Sequence, residues 1–559
     1  MKDARSSFAI KLLPSLADFA FLMPIVFLFG RMEGIKTLLS DCDTGWHIRT
    51  GEWIVAHHWV PARDIFSYSK AGAPWFAWEW GSDVLMAWLN ALGGLRLVAL
   101  CALALISTIF ALVFLVSRRK SNPLVAVVVT MLAAAASSIH WLARPHLFTL
   151  LFVVLFYAAL EQVREGRDRL WGVPYLAILP VATVVWTNLH GGFFVGVVVI
   201  GVYGASEILR ALVANEAQRQ AALRQAGRYL MCAGAALAAS LLNPYFYHLH
   251  AHMLQYLGDP FNSEHIVEFL SPNFHGIQAV FFEAMLALGA GAACWNLARG
   301  RFTEPLLLVA MGHAALLAAR NIPLFMILAA PIVSAAIQEC LDGLPAWNLA
   351  AWLRRLVARF NGLAAETADT ESIGRWHLVS LGALAVVAAL IYAPHPPKRF
   401  RAEFDPKSYP AGALAMLRQD PAARIFTHDE WGDYLIWKLY PGHKVFVDGR
   451  SDFYGDDFEY KYLDVMNVKY GWEKTLGKFG VNTILLPPTT PLAGALKESS
   501  HWRVVYDDGI ALVFRPAAGP AQQTLSATSM RGGISRDREI TKTLTRDPAI
   551  TANQIKSKT

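Results

Sequence analysis

Long apolar runs constrain this chain more than any other feature. They begin near Leu16, Leu97, Pro123, Leu147, Leu170, Phe193, Tyr229, Ile277, Pro305, Ile322 and His377. About 20 apolar residues in a helix match the hydrocarbon thickness of a bilayer. In lipid, a helix satisfies every backbone N–H and C=O within its own segment. The runs therefore predict an α-helical polytopic membrane protein with about eleven transmembrane helices.

Charge supports that division. Charged residues make up 17% of the 559, against about a quarter in soluble proteins. The deficit lies between Ala17 and Tyr392, and charge density is ordinary after Pro394. The expected organisation is a transmembrane domain over 1–393 with a long first outer loop at 31–95, a small soluble α/β domain over 394–516, and a disordered tail over 517–559. Within 394–516, ARIFTH, KVFVDGR, VNTILLPP, WRVVYDD and IALVFRP read as strands. DEWGDYLIWKLY, DFEYKYLDVMNV and GWEKTLGKF read as helices, and the alternation implies an α/β fold. The first apolar run lacks a small-x-small cleavage site and reads as a retained helix.

The net charge of +7 does not indicate a nucleic-acid partner, because the basic residues sit in short loops between apolar runs. Lys2, Arg5 and Lys11 precede the first run. Arg118, Arg119 and Lys120 follow the second, and Arg164, Arg167 and Arg169 follow the fourth. Arg210 to Arg228, then Arg299 and Arg301, then Arg354 to Arg375 continue the alternation. Basic loops are cytoplasmic, so the N-terminus is expected inside and the C-terminal domain outside. The five cysteines have no paired spacing, so no disulfide framework or cysteine metal site is expected.

The other loops carry the polar motifs: DCDTGWH (Asp41 to His47), WEWGSD (Trp78 to Asp83), ARPH (Ala143 to His146), TNLHGG (Thr187 to Gly192), NPYFYH (Asn243 to His248), EFLSPNFHG (Glu268 to Gly276) and ARNIP (Ala319 to Pro323). Interfacial anchoring accounts for any one of them, but anchoring decorates both faces of a membrane and these lie on one. Ionisable residues next to apolar helices more often face a protein interior or a water-filled cavity. The first loop is rich in Trp. GWHIRTGEWIVAHHWV has helical spacing suited to an amphipathic helix lying on the membrane, and NPYFYHLHAHMLQYL is similar.

Asp41 and Asp43, at i and i+2, can share a metal ion or divide the roles of base and orienting group. His47, four residues on, shares a helical face with Asp43. Asp43 or Thr44 is also a natural N-cap for the helix that follows. His248 and His252 have metal-ligand spacing, yet lack a nearby acid, and read as interfacial packing.

The acidic pair in a long first outer loop, the many spans and the C-terminal α/β domain resemble the GT-C superfamily, membrane glycosyltransferases that use polyprenyl-phosphate-linked sugars. Asp-Cys-Asp differs from the adjacent Asp-Glu typical of the protein mannosyltransferases and aminoarabinose transferases, and the WWD-type motif of oligosaccharyltransferases is absent. The resemblance implies an inverting transfer outside the cytoplasm of a bacterial-type inner membrane, from a lipid-linked sugar donor to a glycan, lipid or protein acceptor. It implies Asp41 as base, with Asp43 second and Glu79 a further acid. A divalent metal ion would be held by Asp41 and Asp43. Arg144, His146 and Arg320 would face the donor phosphate, while Asn188 and His190 would meet sugar hydroxyls or a metal. His47 and Asn243 complete the expected substrate-binding set. Two other readings fit the same sequence: a polymerase or ligase acting on polyprenyl-diphosphate glycans, and a non-enzymatic transport or assembly protein. Acids and aromatic residues in HDEWGDY and VDGRSDFYGDDFEY suit sugar binding, and they equally suit turns.

Overall fold

A computed structural model describes residues 11–344 and 350–517. Lys2, Arg5 and the tail beyond Ala517 lie outside them. The principal helices are α1 (Leu16–Arg31), α2 (Asp43–His57), α3 (Trp80–Ser117), α4 (Pro123–Ser137), α5 (His146–Arg164), α6 (Tyr175–Leu189), α7 (Phe193–Val213) and α8 (Glu216–Ala239). They continue as α9 (Tyr247–Leu257), α10 (Ile277–Leu297), α11 (Thr303–Leu317), α12 (Ile322–Gly343), α13 (Ala351–Ser372), α14 (Leu378–Tyr392) and α15 (Asp429–Leu439).

Each predicted apolar run carries a helix. Among the described residues, six helices are long and apolar enough to cross a membrane: α3, Pro123–His140, α5, α7, Ala279–Leu297 and Ala319–Gly343. Helices α6, α11 and α14 are apolar but shorter. Helix α1 has 16 residues, and the first half of α8 is charged. The run expected from Leu170 begins instead at Tyr175, because Leu170 pairs with Val173 in a two-residue hairpin.

Local chemistry sets the helix starts. The Ser15 hydroxyl accepts from the Asp18 N–H, and the Asp18 carboxylate accepts from the Ser15 N–H at 2.8 Å, which is a capping box. Asn122 caps α4 by accepting from the Val125 N–H at 2.9 Å, with Pro123 in the first turn. Helix α3 has 38 residues, about 57 Å at 1.5 Å per residue. Gly94, at φ 68°, breaks it where the first outer loop was expected to end.

The C-terminal residues form a four-stranded sheet from β1 (Ile425–Thr427), β2 (Thr483–Leu486), β3 (Trp502–Asp507) and β4 (Leu512–Pro516), in the order β1-β2-β4-β3. β1 and β2 are parallel, and the other pairs are antiparallel. KVFVDGR does not form the expected full strand. Val445 alone bridges, to Ile425 on one side and Ser67 on the other. The first loop therefore extends this sheet: the Tyr68 N–H donates to the Val445 carbonyl at 2.9 Å, and the Val445 N–H donates to Phe66 at 3.0 Å.

Buried Arg450 crosses the same seam, 2.7 Å from Asp448 and 2.8 Å from Asp64 of the first loop. Helix α2 does not lie free on a surface as its Trp spacing suggested. It packs between the start of α3 and α15, and Arg49 donates two hydrogen bonds to the Trp437 carbonyl, at 3.0 and 2.7 Å. Helix α9 keeps the expected exposed apolar side, with Tyr247, Leu254 and Leu257 uncovered.

Candidate functional site

The end of the bundle that carries the N-termini of α3, α5 and α12 meets α2 and α15, and most of the predicted polar residues converge there. The arrangement begins with the chain around Arg144. The Ala143 N–H donates to the Leu38 carbonyl at 2.8 Å, and the Thr44 hydroxyl donates to the Ala143 carbonyl at 3.0 Å. These two bonds pin the α4–α5 connection to the first turn of α2. Thr44 is therefore not the N-cap, and neither is Asp43: Cys42 occupies that position without a side-chain cap. Asp41 turns back instead, its carboxylate accepting from the Asp43 N–H at 2.8 Å.

Pinned in this way, Arg144 lies among three acids. One Nη is 2.7 Å from Asp41 and 3.5 Å from Glu268, and the other is 2.6 Å from Asp43. Glu268 also meets Arg320 at 3.1 Å, and Arg320 lies over the Phe269 ring. The two guanidinium groups hold the Glu268 carboxyl below its ordinary range against the opposing effect of burial. Asp41 is the more accessible of the paired acids, its side chain 27% exposed against 11% for Asp43.

Behind Asp43 stands Asp433, from α15. Asp433 accepts from the Gly449 N–H at 3.0 Å. Burial, reinforced by the charge of Asp43, pushes its carboxyl well up. Burial pushes Asp43 up as well, against the pull of Arg144. Two buried carboxylates this close raise the cost of ionising each other.

A second group adjoins the first. Glu79 lies between two imidazoles, 3.4 Å from His47 Nε2 and 3.2 Å from His190 Nε2. His47 Nδ1 is 2.6 Å from Asp83, and His190 Nδ1 is 2.8 Å from the Thr149 hydroxyl. Burial raises the Glu79 carboxyl to about 8 and lowers both His47 and His190 well below the usual imidazole value. Burial thus favours the neutral form of each member of the trio.

Of the residues expected from sequence, Asp41, Asp43, Glu79, His47, Arg144, His190 and Arg320 gather here. Three others make local contacts. His146 meets the His140 carbonyl at 3.0 Å and packs on its ring. Asn188 accepts from the Trp80 indole at 2.7 Å and donates to the Leu242 carbonyl at 2.9 Å. Asn243 closes its own turn, bonding Ser240, Tyr245 and Phe246. His248 and His252 do not pair: His252 is 3.1 Å from Asp452, and His248 is exposed.

Asp83, Glu268 and Asp433, which lie in the WEWGSD, EFLSPNFHG and HDEWGDY motifs without an individual role assigned, join the site. Asp83 follows Glu79 by four residues, a spacing that puts both on one side of a helix start. No sequence feature links Asp433 to Asp43. Among the described residues, no group of three or more His, Cys, Asp or Glu is placed to hold a metal ion. Arg144 fills the position between Asp41 and Asp43.

In the C-terminal acid-rich segments most groups serve the fold. Asp448 holds Arg450 and Tyr454, and the Trp431 indole donates to the Ser408 carbonyl at 2.8 Å. No protein-family model matches the chain, and no curated protein matches it in sequence.

Proposed function

We propose that this chain is a membrane glycosyltransferase of GT-C-like architecture, moving a sugar from a polyprenyl-phosphate donor to an acceptor hydroxyl outside the cytoplasm. One observation carries the reading: Arg144 bridges Asp41 and Asp43 at the edge of an apolar helix bundle, with the accessible carboxylate of Asp41 beside it. A transfer from a lipid phosphate needs a base and a fixed cation together at that depth. Asp41 takes the proton of the acceptor hydroxyl as its oxygen attacks the anomeric carbon. The bond from that carbon to the phosphate oxygen breaks, and the lipid phosphate leaves with the electron pair. Inversion follows from a single displacement.

Arg144 and Arg320 receive the growing phosphate charge, since guanidinium matches phosphate oxygens in a fork. Glu268 sets both in position. On the loop-charge argument, this end of the bundle faces away from the cytoplasm.

The test is analysis of lipid-linked sugars and surface glycans in cells carrying Asp41→Asn, with transfer by purified protein as the direct assay. Loss of transfer with donor accumulation is expected. Full activity in Asp41→Asn with loss in Arg320→Ala would replace this reading with a polymerase or ligase on polyprenyl-diphosphate glycans. Unchanged activity in both, with no binding of polyprenyl phosphate, would leave a non-enzymatic protein.

A further inference from the structure

The opposite end of the bundle holds a second polar feature that the sequence reading took only as loop charge. A cavity of about 340 Å³ lies among α3, α5, α10, α11 and α12. That volume falls in the range of small-molecule sites. One side is ionic: Arg119, Lys120, Glu161, Arg164, Arg301 and Glu304 line it. The other is apolar, built by Pro331, Ile332, Ala335 and Ala336 of α12.

The charges reach well into the bundle. Glu161, 5% exposed, accepts from the Tyr203 hydroxyl at 2.6 Å and pairs with Lys120 and with Arg164 at 3.3 Å. Arg164 also meets Glu304 at 2.6 Å. Arg301 and Arg299 hold Glu339 at 2.5 and 3.6 Å, and Lys120 and Arg167 hold Glu165. Topology requires Lys and Arg near such a surface. It does not require ionised groups at this depth, nor the space between them, which close packing would otherwise fill.

Among the lining groups, the cations Arg119, Lys120, Arg164 and Arg301 stand against the carboxylates Glu161, Glu165, Glu304 and Glu339, and Lys120, Arg164 and Arg301 are each engaged in an ion pair with one of them. Arg119, exposed at the rim, makes no ion pair among the described residues. Glu304 keeps one carboxylate oxygen buried and without a hydrogen-bond partner, an acceptor for a ligand hydroxyl.

We infer that this cavity binds a phosphate-bearing group with an adjacent hydroxyl, of the kind an anionic glycerophospholipid headgroup presents. The phosphate lies against Arg119 and Arg301, the hydroxyl against Glu304, and the apolar wall of α12 lies along the start of the acyl chains. Cations between transmembrane helices recognise anionic headgroups by this chemistry, and Arg119 is the lining cation left without a carboxylate partner among the described residues.

The experiment uses the full chain in detergent, as wild type, Arg119→Glu and Arg119→Gln/Arg301→Gln. Each is mixed with phosphatidylglycerol, with sodium phosphate or with diacylglycerol, and read by native mass spectrometry and by melting temperature. Wild type should retain one phosphatidylglycerol and melt higher with it, and the variants should bind it at least about five-fold more weakly. Arg119 is exposed, so Arg119→Glu without lipid should melt with the wild type, separating lost binding from lost folding. An equal, Arg119-dependent shift with sodium phosphate would support the same recognition from a soluble source. Retention unchanged by the substitutions, a diacylglycerol effect equal to that of phosphatidylglycerol, or no binding of either phosphate probe would overturn the proposal.

Discussion

Asp43 and Asp433 converge on Gly449. A methyl group there would lie 2.8 Å from Asp43 Oδ1 and 2.7 Å from Asp433 Oδ2. One carboxylate comes from the first loop and the other from the C-terminal layer, and the missing side chain of Gly449 gives them room to face each other. Gly449→Ala should therefore displace both acids and disturb the setting of Arg144. The expected result is a stability loss of about 1–3 kcal/mol, the usual range for overpacking, and a larger fall in transfer. Wild-type melting and activity in Gly449→Ala would show that the two acids do not depend on this approach.

Arg144 satisfies three carboxylates with two nitrogens, which an ammonium cannot reproduce. Arg144→Lys should keep the fold but lower transfer more than ten-fold, on the order of 2 kcal/mol or more for a lost charge-assisted contact. Arg144→Gln leaves Asp41, Asp43 and Glu268 with Arg320 alone and should destabilise by about 3–5 kcal/mol. Melting curves beside turnover assays distinguish the two substitutions, and equal turnover of Arg144→Lys and wild type would remove the fork from the mechanism.

The Glu79 trio predicts a pH optimum of stability. Glu79 is raised from 4.5 to about 8 in the fold, so between those values the folded chain holds a proton that the unfolded chain has lost. Stability then falls as pH rises, by up to about 1.4 kcal/mol per unit. His47 and His190 are lowered from 6.5. Below that value the unfolded chain holds protons that the folded chain lacks, so stability rises with pH. The two effects oppose each other in acid, leaving the Glu79 decline visible from about 6.5 to about 8. Melting temperatures across that window should fall for wild type and fall less steeply for Glu79→Gln, the remaining decline coming from the other raised carboxyls, Asp43 and Asp433, while the acid limb persists in both. A decline undiminished in Glu79→Gln belongs to another group.

Arg450 offers a test of the seam between the first loop and the C-terminal layer. Arg450→Ala strands Asp64 and Asp448, both buried, at about 3–5 kcal/mol. Limited proteolysis should then cut near the 394–424 connection far faster than in wild type. Protease resistance equal to wild type would mean that backbone pairing at Val445 suffices.

The apolar bundle was legible because the period and length of a run report directly on lipid. The polar motifs were legible because Asp41, Glu79, Arg144 and Arg320 sit at the ends of such runs, where a charge is costly and conspicuous. Asp433 was not legible. Its segment reads as a soluble amphipathic helix, and only the packing of α15 on α2 turns its acid toward Asp43. Asn188 and Asn243 show a related ambiguity: an amide beside a helix end bonds backbone as readily as it meets a sugar. The ionic cavity between α5 and α12 was hidden because its cations read equally well as loop charge, so no residue there called for a second role.

The bridge from Ser67 to Val445 carries a consequence for how the protein is made. The strand partner of the first loop lies in the last quarter of the chain, and so does Asp433. During synthesis, Asp41 and Asp43 leave the ribosome long before the groups that enclose them. A chain made only as far as the helix bundle has its acids but lacks their setting, which α15 and the Val445 to Gly449 segment supply. Truncation before Asp433 should therefore leave Asp41 and Asp43 without the groups that enclose them.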